Sequence, residues 1–212
     1  MRLSFIGMSG IGKSYWSSQL VERGFKRFCC DDLIAKKLAP QLARPDGSPM
    51  SMGEWMGFPF EPDYANRQAQ YLKYEIEVMH EILNHLEGNG NHRYENVVID
   101  TTGSVIYTGR DILEKLKRQT RIVYLDAPLA VQERMRRAYV AHPTPILWGD
   151  KFNKEAGESN EEALARCYPQ LLSYRACLYE QWMDVCIDYE TLRSERFNLD
   201  EFLKLILAEQ AR

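Results

Sequence analysis

Residues 7 to 14, Gly7-Met8-Ser9-Gly10-Ile11-Gly12-Lys13-Ser14, spell G-x-x-x-x-G-K-[ST] without a departure. The preceding run, Arg2 to Ile6, is short and apolar and reads as a buried strand. The following run, Tyr15 to Arg23, reads as a helix. A strand, a glycine loop and a helix N-terminus in that order build an anion cradle. Backbone N–H groups converge on phosphate oxygens, and the helix dipole adds about half a positive charge. The cradle is expected to comprise Gly7, Gly10, Ile11, Gly12, Lys13, Ser14 and Tyr15. Lys13 would reach the β- and γ-phosphates of a nucleoside triphosphate, and the Ser14 hydroxyl would help hold Mg²⁺.

The rest of the chain alternates short apolar runs with helical patterns, as a parallel sheet covered on both faces requires. Candidate strands are Leu3–Gly7, Phe25–Cys29, Asn96–Asp100, Arg121–Leu125 and Val185–Asp188. Thr108 with Asp111, Ser159 with Glu162, and Asn198 with Glu201 read as helix N-caps with an acid three residues on. Pro128 fits the first turn of another helix. Between Ala39 and Tyr64, Pro and Gly crowd the chain, so an irregular inserted lobe is expected there. A helix then carries the stripe Leu72, Ile76, Met79, Leu83, Leu86, and Gly88 to Asn91 reads as the turn that closes it. A second irregular stretch, Ala141 to Asn160, reads as a mobile flap.

Bulk properties exclude several classes. The chain has 212 residues, 45% hydrophobic and 27% charged, which suits one α/β domain with inserted lobes. A net charge of −3 gives no sign of a nucleic-acid surface. No apolar run approaches the roughly 20 residues that cross a bilayer, and the first strand starts too early for a signal peptide. The five cysteines lack C-x-x-C spacing, so reduced thiols in a cytoplasm are expected, with Cys29 and Cys30 as buried strand-end residues. His80 and His85 are five apart, on different sides of a helix, and offer no metal site. Nothing implies a protein partner.

Four groups of residues are candidates for chemistry. Asp100 ends the strand Val97-Val98-Ile99 and precedes Thr101-Thr102-Gly103. Ligands bind outside the carboxyl ends of such strands, so Asp100 is a candidate Mg²⁺-organising carboxylate; capping the next loop is the alternative. The same D-x-x-G occurs in GTPases, but Asn153-Lys154-Glu155-Ala156 lacks the Asp of a guanine reader. Asp31 and Asp32 end the second strand. One is expected to cap the helix Leu33–Leu38 and the other to face the site and accept a hydroxyl proton. Arg175 interrupts the apolar stripe Leu164, Tyr168, Leu171, Leu178, Trp182, so its charge must meet either a substrate anion or an internal acid. Arg134, Arg136 and Arg137 lead into the flap, and one or two of them could fold over the phosphates.

With these residues in view, the chain resembles the shikimate kinases, small-molecule P-loop kinases related to the nucleoside monophosphate kinases. Cys29-Cys30-Asp31-Asp32-Leu33-Ile34 is similar to the family's D-x-D-x-x-I, where Asp31 matches the acid that contacts substrate hydroxyls. Val98-Ile99-Asp100-Thr101-Thr102-Gly103-Ser104 is similar to the strand that enters the family's triple-glycine loop. Tyr124-Leu125-Asp126-Ala127-Pro128 resembles the turn before the lid. Arg175-Ala176-Cys177-Leu178-Tyr179 resembles R-x-x-L-Y, whose arginine binds the substrate carboxylate. The chain departs from the family where Cys29 replaces an acid, where the glycines become Thr102-Gly103-Ser104, and where the lid motif becomes Thr144-Pro145-Ile146-Leu147 without its arginine. The family's second substrate arginine has only a loose counterpart, Arg67.

The resemblance implies a three-layer α/β/α P-loop kinase fold with a five-stranded parallel sheet in the order 2-3-1-4-5. The core would span about 1–38, 94–140 and 161–212, the substrate lobe about 39–93 and the lid about 141–160. It implies phosphoryl transfer from ATP with Mg²⁺ to a hydroxyl of a small, anionic metabolite. Lys13, Asp31 and Asp100 would be catalytic, Arg134 and Arg137 would join the nucleotide site, and Asp31, Arg67, Gly103 and Arg175 would hold the substrate. Ser14 and Asp100 would hold the metal. A nucleotide or nucleoside kinase, and an ATP-binding regulatory protein without catalysis, are the alternatives.

Overall fold

The computed structural model describes residues 1–88 and 95–208. Five parallel strands form one sheet: β1 (Arg2–Ile6), β2 (Lys26–Cys29), β3 (Val97–Asp100), β4 (Arg121–Leu125) and β5 (Val185–Ile187). Their order is β2-β3-β1-β4-β5, as expected, and each lies within one residue of its expected bounds at either end. β1 is central. Leu3 pairs with Val98 on one side and with Arg121 on the other. The ends of β1 and β3 thereby come together, with Phe5 opposite Asp100, so the loops after these strands share one edge of the sheet.

Strand side chains alternate between two cores. Leu3, Phe5, Val98, Val123 and Val185 face α1 (Lys13–Val21) and α9 (Leu199–Ala208), where Trp16 stacks on Phe202 with ring centroids 4.7 Å apart. Ile6, Val97, Ile99, Ile122 and Tyr124 face the opposite layer: α2 (Cys30–Leu38), α4 (Tyr64–Glu87), α5 (Arg110–Gln119) and α7 (Asn160–Trp182). This is the three-layer α/β/α arrangement. Both faces are covered, which is why the strands read as continuous apolar runs.

Helix starts follow the sequence in two places and depart from it in two. Ser159 and Glu162 form a complete capping box on α7, and Asn198 Oδ1 accepts from the N–H groups of Asp200 and Glu201 ahead of α9. Thr108 does not cap α5. Gly109 holds that position at φ 110°, and the Thr108 hydroxyl turns back to the Val105 carbonyl at 2.7 Å. Neither Asp31 nor Asp32 caps α2, because the helix begins earlier, at Cys30, and carries both acids inside its first turn.

Segment 39–63 is irregular, as its Pro and Gly content dictates. It contains one short helix, α3 (Met52–Met56), whose start is a Ser51–Glu54 capping box. The buried face of α4 is Tyr71, Glu75, Val78, Met79, Ile82, Leu83 and Leu86. The expected stripe is therefore rotated: Leu72 and Ile76 lie at its margin, because Glu75 occupies the core. The turn expected from Gly88 to Asn91 lies beyond Gly88 outside the described residues.

The flap expected at 141–160 connects α6 (Leu129–Ala141) to α7 and holds neither helix nor strand. It is seated, not loose. Ile146, Leu147 and Trp148 are buried, Tyr64 on α4 donates to the Ile146 carbonyl at 2.6 Å, and Trp148 N donates back to the Tyr64 oxygen at 2.9 Å. Gly149 N donates to Gln68 at 2.8 Å. Tyr139 on α6 and Tyr168 on α7 sandwich this segment with Trp148, Phe152 and Phe58 in one aromatic cluster. Apolar residues in a segment that looks like a flap serve as anchors here.

Candidate active site

The loop after β1 turns back on itself at Gly7, whose φ is 137°. A Cβ there would lie 2.6 Å from the Leu125 carbonyl oxygen, so only glycine fits between β1 and β4. Gly12, at φ 115°, starts α1 without a side-chain cap, and the first turn of α1 carries no acid. The helix N-terminus is thus left open to an anion. The Lys13 ammonium is folded over the loop and donates to the carbonyls of Gly7 at 2.8 Å and Met8 at 3.0 Å. Burial lowers its pKa, while Asp100 and Asp31 pull the other way.

A cavity of about 350 Å³ opens on this loop. Ser9, Gly10, Gly12, Lys13, Ser14 and Tyr15 form one side. Asp31, Met52, Tyr71, Thr102, Gly103, Thr144 and Pro145 form the other. Gly7 and Ile11 are buried beneath the loop. Asp31 lines this cavity with its surface open, while the protein packed around it partly buries its carboxyl. That burial raises its carboxyl pKa, and Lys13 and a hydrogen bond from Tyr71 oppose the rise. Asp32 points outward.

Asp100 does not reach the cavity wall. It is buried, and its Oδ2 accepts from the Arg27 guanidinium at 2.5 Å and from the Ser17 hydroxyl at 3.0 Å. This oxygen is engaged in an ion pair beneath α1. Ser14 does line the cavity. Among the described residues no group of three or more His, Cys, Asp or Glu could hold a metal. A Mg²⁺ ion bound mainly through nucleotide phosphates, with one protein hydroxyl and waters, needs no such group, so Ser14 fits that role.

Arg175 is buried and makes no direct ion pair with a carboxylate among the described residues, although its charge reaches the buried Glu75. Its Nη2 donates to the Leu147 carbonyl at 2.7 Å and its Nε to the Tyr107 hydroxyl at 3.2 Å, with the guanidinium 5.3 Å from the Tyr107 ring. Its third nitrogen, Nη1, lies behind Gly103. A Cβ on Gly103 would be 3.4 Å from it.

Three predicted arginines take other positions. Arg67 is one turn before Tyr71 on α4 but pairs with Glu61 and Asp63, and it does not line the cavity. Arg137 is exposed and bonds Glu133, because the helix turns it to solvent. Arg134 lines an adjoining cavity of about 370 Å³ that shares Ser9, Gly10 and Thr144 with the first. Arg134 is also held by the Tyr189 hydroxyl.

Two functional candidates escaped sequence reasoning. Glu75 is fully buried on α4, and its two oxygens accept from the hydroxyls of Thr102 and Ser104, the latter at 2.6 Å. Burial pushes its carboxyl up to about 7 against those two hydrogen bonds. The side chains that replace two of the family's glycines therefore turn to Glu75. Tyr71, one turn earlier, donates to Asp31 Oδ1 at 3.1 Å. The legible signal was a Tyr and a Glu four apart on an apolar helix face. The vicinal thiols follow the expectation only in part: Cys29 ends β2 but is half-buried, and Cys30 is buried but opens α2 rather than ending the strand. Cys30 is buried against Met79, and burial pushes Cys29 up to about 11. Among the described residues no helix is long and apolar enough to cross a membrane.

The fold, with its phosphate-loop sequence after β1, is similar to that of the shikimate kinases. No family model matches the chain, and no curated protein does. Solved structures match it over its whole length. The shikimate kinase of Acinetobacter baumannii, in complex with shikimate, has a TM-score of 0.64 at 20% identity, with 95% of that chain covered. The shikimate kinase of Bacteroides thetaiotaomicron has a TM-score of 0.60 at 19% identity, with 97% covered. That of Aquifex aeolicus has 0.59 at 18%, with 96% covered.

Proposed function

We propose that this chain is a cytoplasmic kinase that transfers the γ-phosphoryl group of ATP to a hydroxyl of a small, anionic metabolite. One observation carries the reading: a single cavity has the phosphate loop on one wall and Asp31 and Gly103 on the other. Donor phosphate and acceptor hydroxyl would meet there. The N–H groups of the loop and of the first turn of α1 hold the β- and γ-phosphates. Lys13 exchanges its two carbonyl partners for phosphate oxygens and offsets charge on the moving group. Mg²⁺, bound to the nucleotide and to Ser14, supplies further neutralisation of that charge. Asp100 and Arg27 keep the start of α1 in place through Ser17. Asp31 takes the proton of the attacking hydroxyl as its oxygen bonds phosphorus and the bond to ADP breaks. Arg175, a buried charge without a direct ion pair among the described residues, supports an anionic group on the acceptor, reached past Gly103. Arg134 supplies a cation from the lid side, which the Thr144 position lacks.

The test is ADP release in a coupled assay against pools of hydroxylated acids, with ATP-induced thermal stabilisation measured in parallel. Wild type should release ADP with one pool. ATP with Mg²⁺ should raise the melting temperature, by the equivalent of about 2.7 kcal/mol at hundredfold excess over Kd, and Lys13→Ala should abolish most of that rise. Stabilisation by ATP without ADP release from any pool would make the chain an ATP-binding protein without transfer.

A further inference from the structure

We propose that the Tyr71 hydroxyl is a positioning group for Asp31: it occupies Oδ1 and so leaves Oδ2 as the oxygen presented to the acceptor hydroxyl. This rests on the kinase reading above.

Tyr71 is 1% exposed, yet it contributes to the cavity wall beside Asp31. Its hydroxyl donates to Oδ1 at 3.1 Å, and Asp31 makes no other hydrogen bond among the described residues. A buried phenol needs one polar partner, and a catalytic carboxylate needs one oxygen fixed and one free. The pair satisfies both needs at once. Its geometry is held by two packed helices rather than by loops. Asp31 sits in the first turn of α2, where the helix dipole favours a carboxylate. α2 is fixed on α4 by the contact of Cys30 Sγ with Met79 Sδ at 3.9 Å and by Lys37, which pairs with Glu77 and Glu81.

The direction of the hydrogen bond is also fixed. Burial and the neighbouring Asp31 push the Tyr71 phenol far above its ordinary range, so it remains a donor at any working pH. Burial opposes the charge of the Asp31 carboxylate, and so do Asp100 from β3, Asp32 from its own helix and the buried Glu75 from α4, while Lys13 from α1 and Tyr71 from α4 favour it. Of the two supports, Lys13 is drawn away to phosphate when nucleotide binds. Tyr71 is the one that stays.

Tyr71→Phe removes one oxygen and keeps the ring in the core, so the fold is retained. The Asp31 titration is followed in the apoprotein by carboxyl ¹³C NMR, assigned with Asp31→Asn. Tyr71→Phe should move the Asp31 midpoint upward by about one pH unit, because a hydrogen bond that favours the charged form is gone. The acid limb of kcat/KM for the acceptor should move the same way. Turnover should fall about tenfold, the effect of roughly 1.4 kcal/mol at the transition state, with KM for ATP unchanged. In an Asp31→Asn background, Tyr71→Phe should lower turnover no further. An unchanged Asp31 midpoint, with or without a lower melting temperature, overturns the proposal and leaves Tyr71 a core phenol. Absence of turnover in wild type would overturn the kinase reading instead, and the apoprotein titration would still decide whether Tyr71 sets Asp31.

Discussion

Arg27 on β2 donates to Asp100 Oδ2 on the neighbouring strand at 2.5 Å, and its Nε donates to the Ser17 hydroxyl on α1 at 2.7 Å. One side chain thereby ties two strands to the helix that follows the phosphate loop. The guanidinium is partly open, at 24% exposure, but the carboxylate it serves is 3% exposed. Arg27→Met would leave that carboxylate buried with only Ser17 as a donor.

Breaking such a pair from one side costs more than replacing both partners. Arg27→Met should therefore lower stability by about 3 kcal/mol. Arg27→Met with Asp100→Leu should recover most of the loss. Urea denaturation of the two variants measures both values. A double variant no more stable than the single one would show that the hydrogen bond to Ser17, and not the ion pair, is what holds this corner.

Glu75 gives the protein a pH dependence of a definite sign. Its carboxyl is raised from 4.5 to about 7 in the folded state. The folded chain then keeps a proton that the unfolded chain gives up, so this group's contribution to stability falls as pH rises across that window. The fall is on the order of 3 kcal/mol for a fully buried group shifted this far. Glu75→Gln can still accept from one hydroxyl and donate to the other, and it has no proton to lose. Melting curves between pH 5 and pH 8 should therefore converge at the acid end and separate at the alkaline end, with the Gln variant the more stable there. Parallel curves would mean that water or relaxation solvates Glu75.

The phosphate loop, the five strands and two of three helix caps were legible because each is a local pattern: glycine spacing, apolar runs, Ser or Asn with an acid three residues on. The lining of the cavity was legible where a residue follows a strand, as for Lys13, Asp31 and Gly103. It was illegible where the partner comes from far along the chain. The partners of Asp100 were illegible because nothing in the sequence pairs β2 with β3 through Arg27 and Ser17, 73 and 83 residues away. Glu75 was passed over because a charged residue next to Leu72 and Ile76 on a helix reads as the solvated side. The hydroxyls that admit it to the core, Thr102 and Ser104, are 27 and 29 residues away.

Gly53 tests how firmly the segment after α6 is seated. A Cβ on Gly53 would lie 1.7 Å from the Pro143 carbonyl oxygen and 2.4 Å from its carbon. Both are backbone atoms, so α3 and segment 143–148 would have to part. Gly53→Ala should lower the melting temperature by several degrees, the effect of about 2 kcal/mol on a chain of this size. Proteolytic cleavage within 149–158 should become faster. An alanine variant with unchanged melting and unchanged cleavage would mean that α3 does not touch this segment in solution.

Arg175 is a buried cation held by a carbonyl, a phenol and an aromatic face, with no directly paired carboxylate among the described residues. Its charge was desolvated on folding, and the buried Glu75, an acid that feels it, does not pair with it directly. Removing a charge of this kind need not destabilise a protein, since a well-packed apolar side chain avoids the desolvation cost. Arg175→Met should leave the apo melting temperature near that of wild type, with the lost hydrogen bonds to Leu147 and Tyr107 set against the relieved burial. ADP affinity should be unchanged, because the phosphate loop is untouched. Acceptor turnover should fall by several orders of magnitude if the guanidinium receives the acceptor's anion. Arg175→Lys separates charge from shape. It keeps the cation but loses the planar fork, and should restore only a small part of the turnover. Apo melting, ADP titration and turnover on the two variants decide the matter. A large loss of apo stability in Arg175→Met, with turnover per folded molecule retained, would make Arg175 a structural clamp on Leu147 and remove it from the acceptor site.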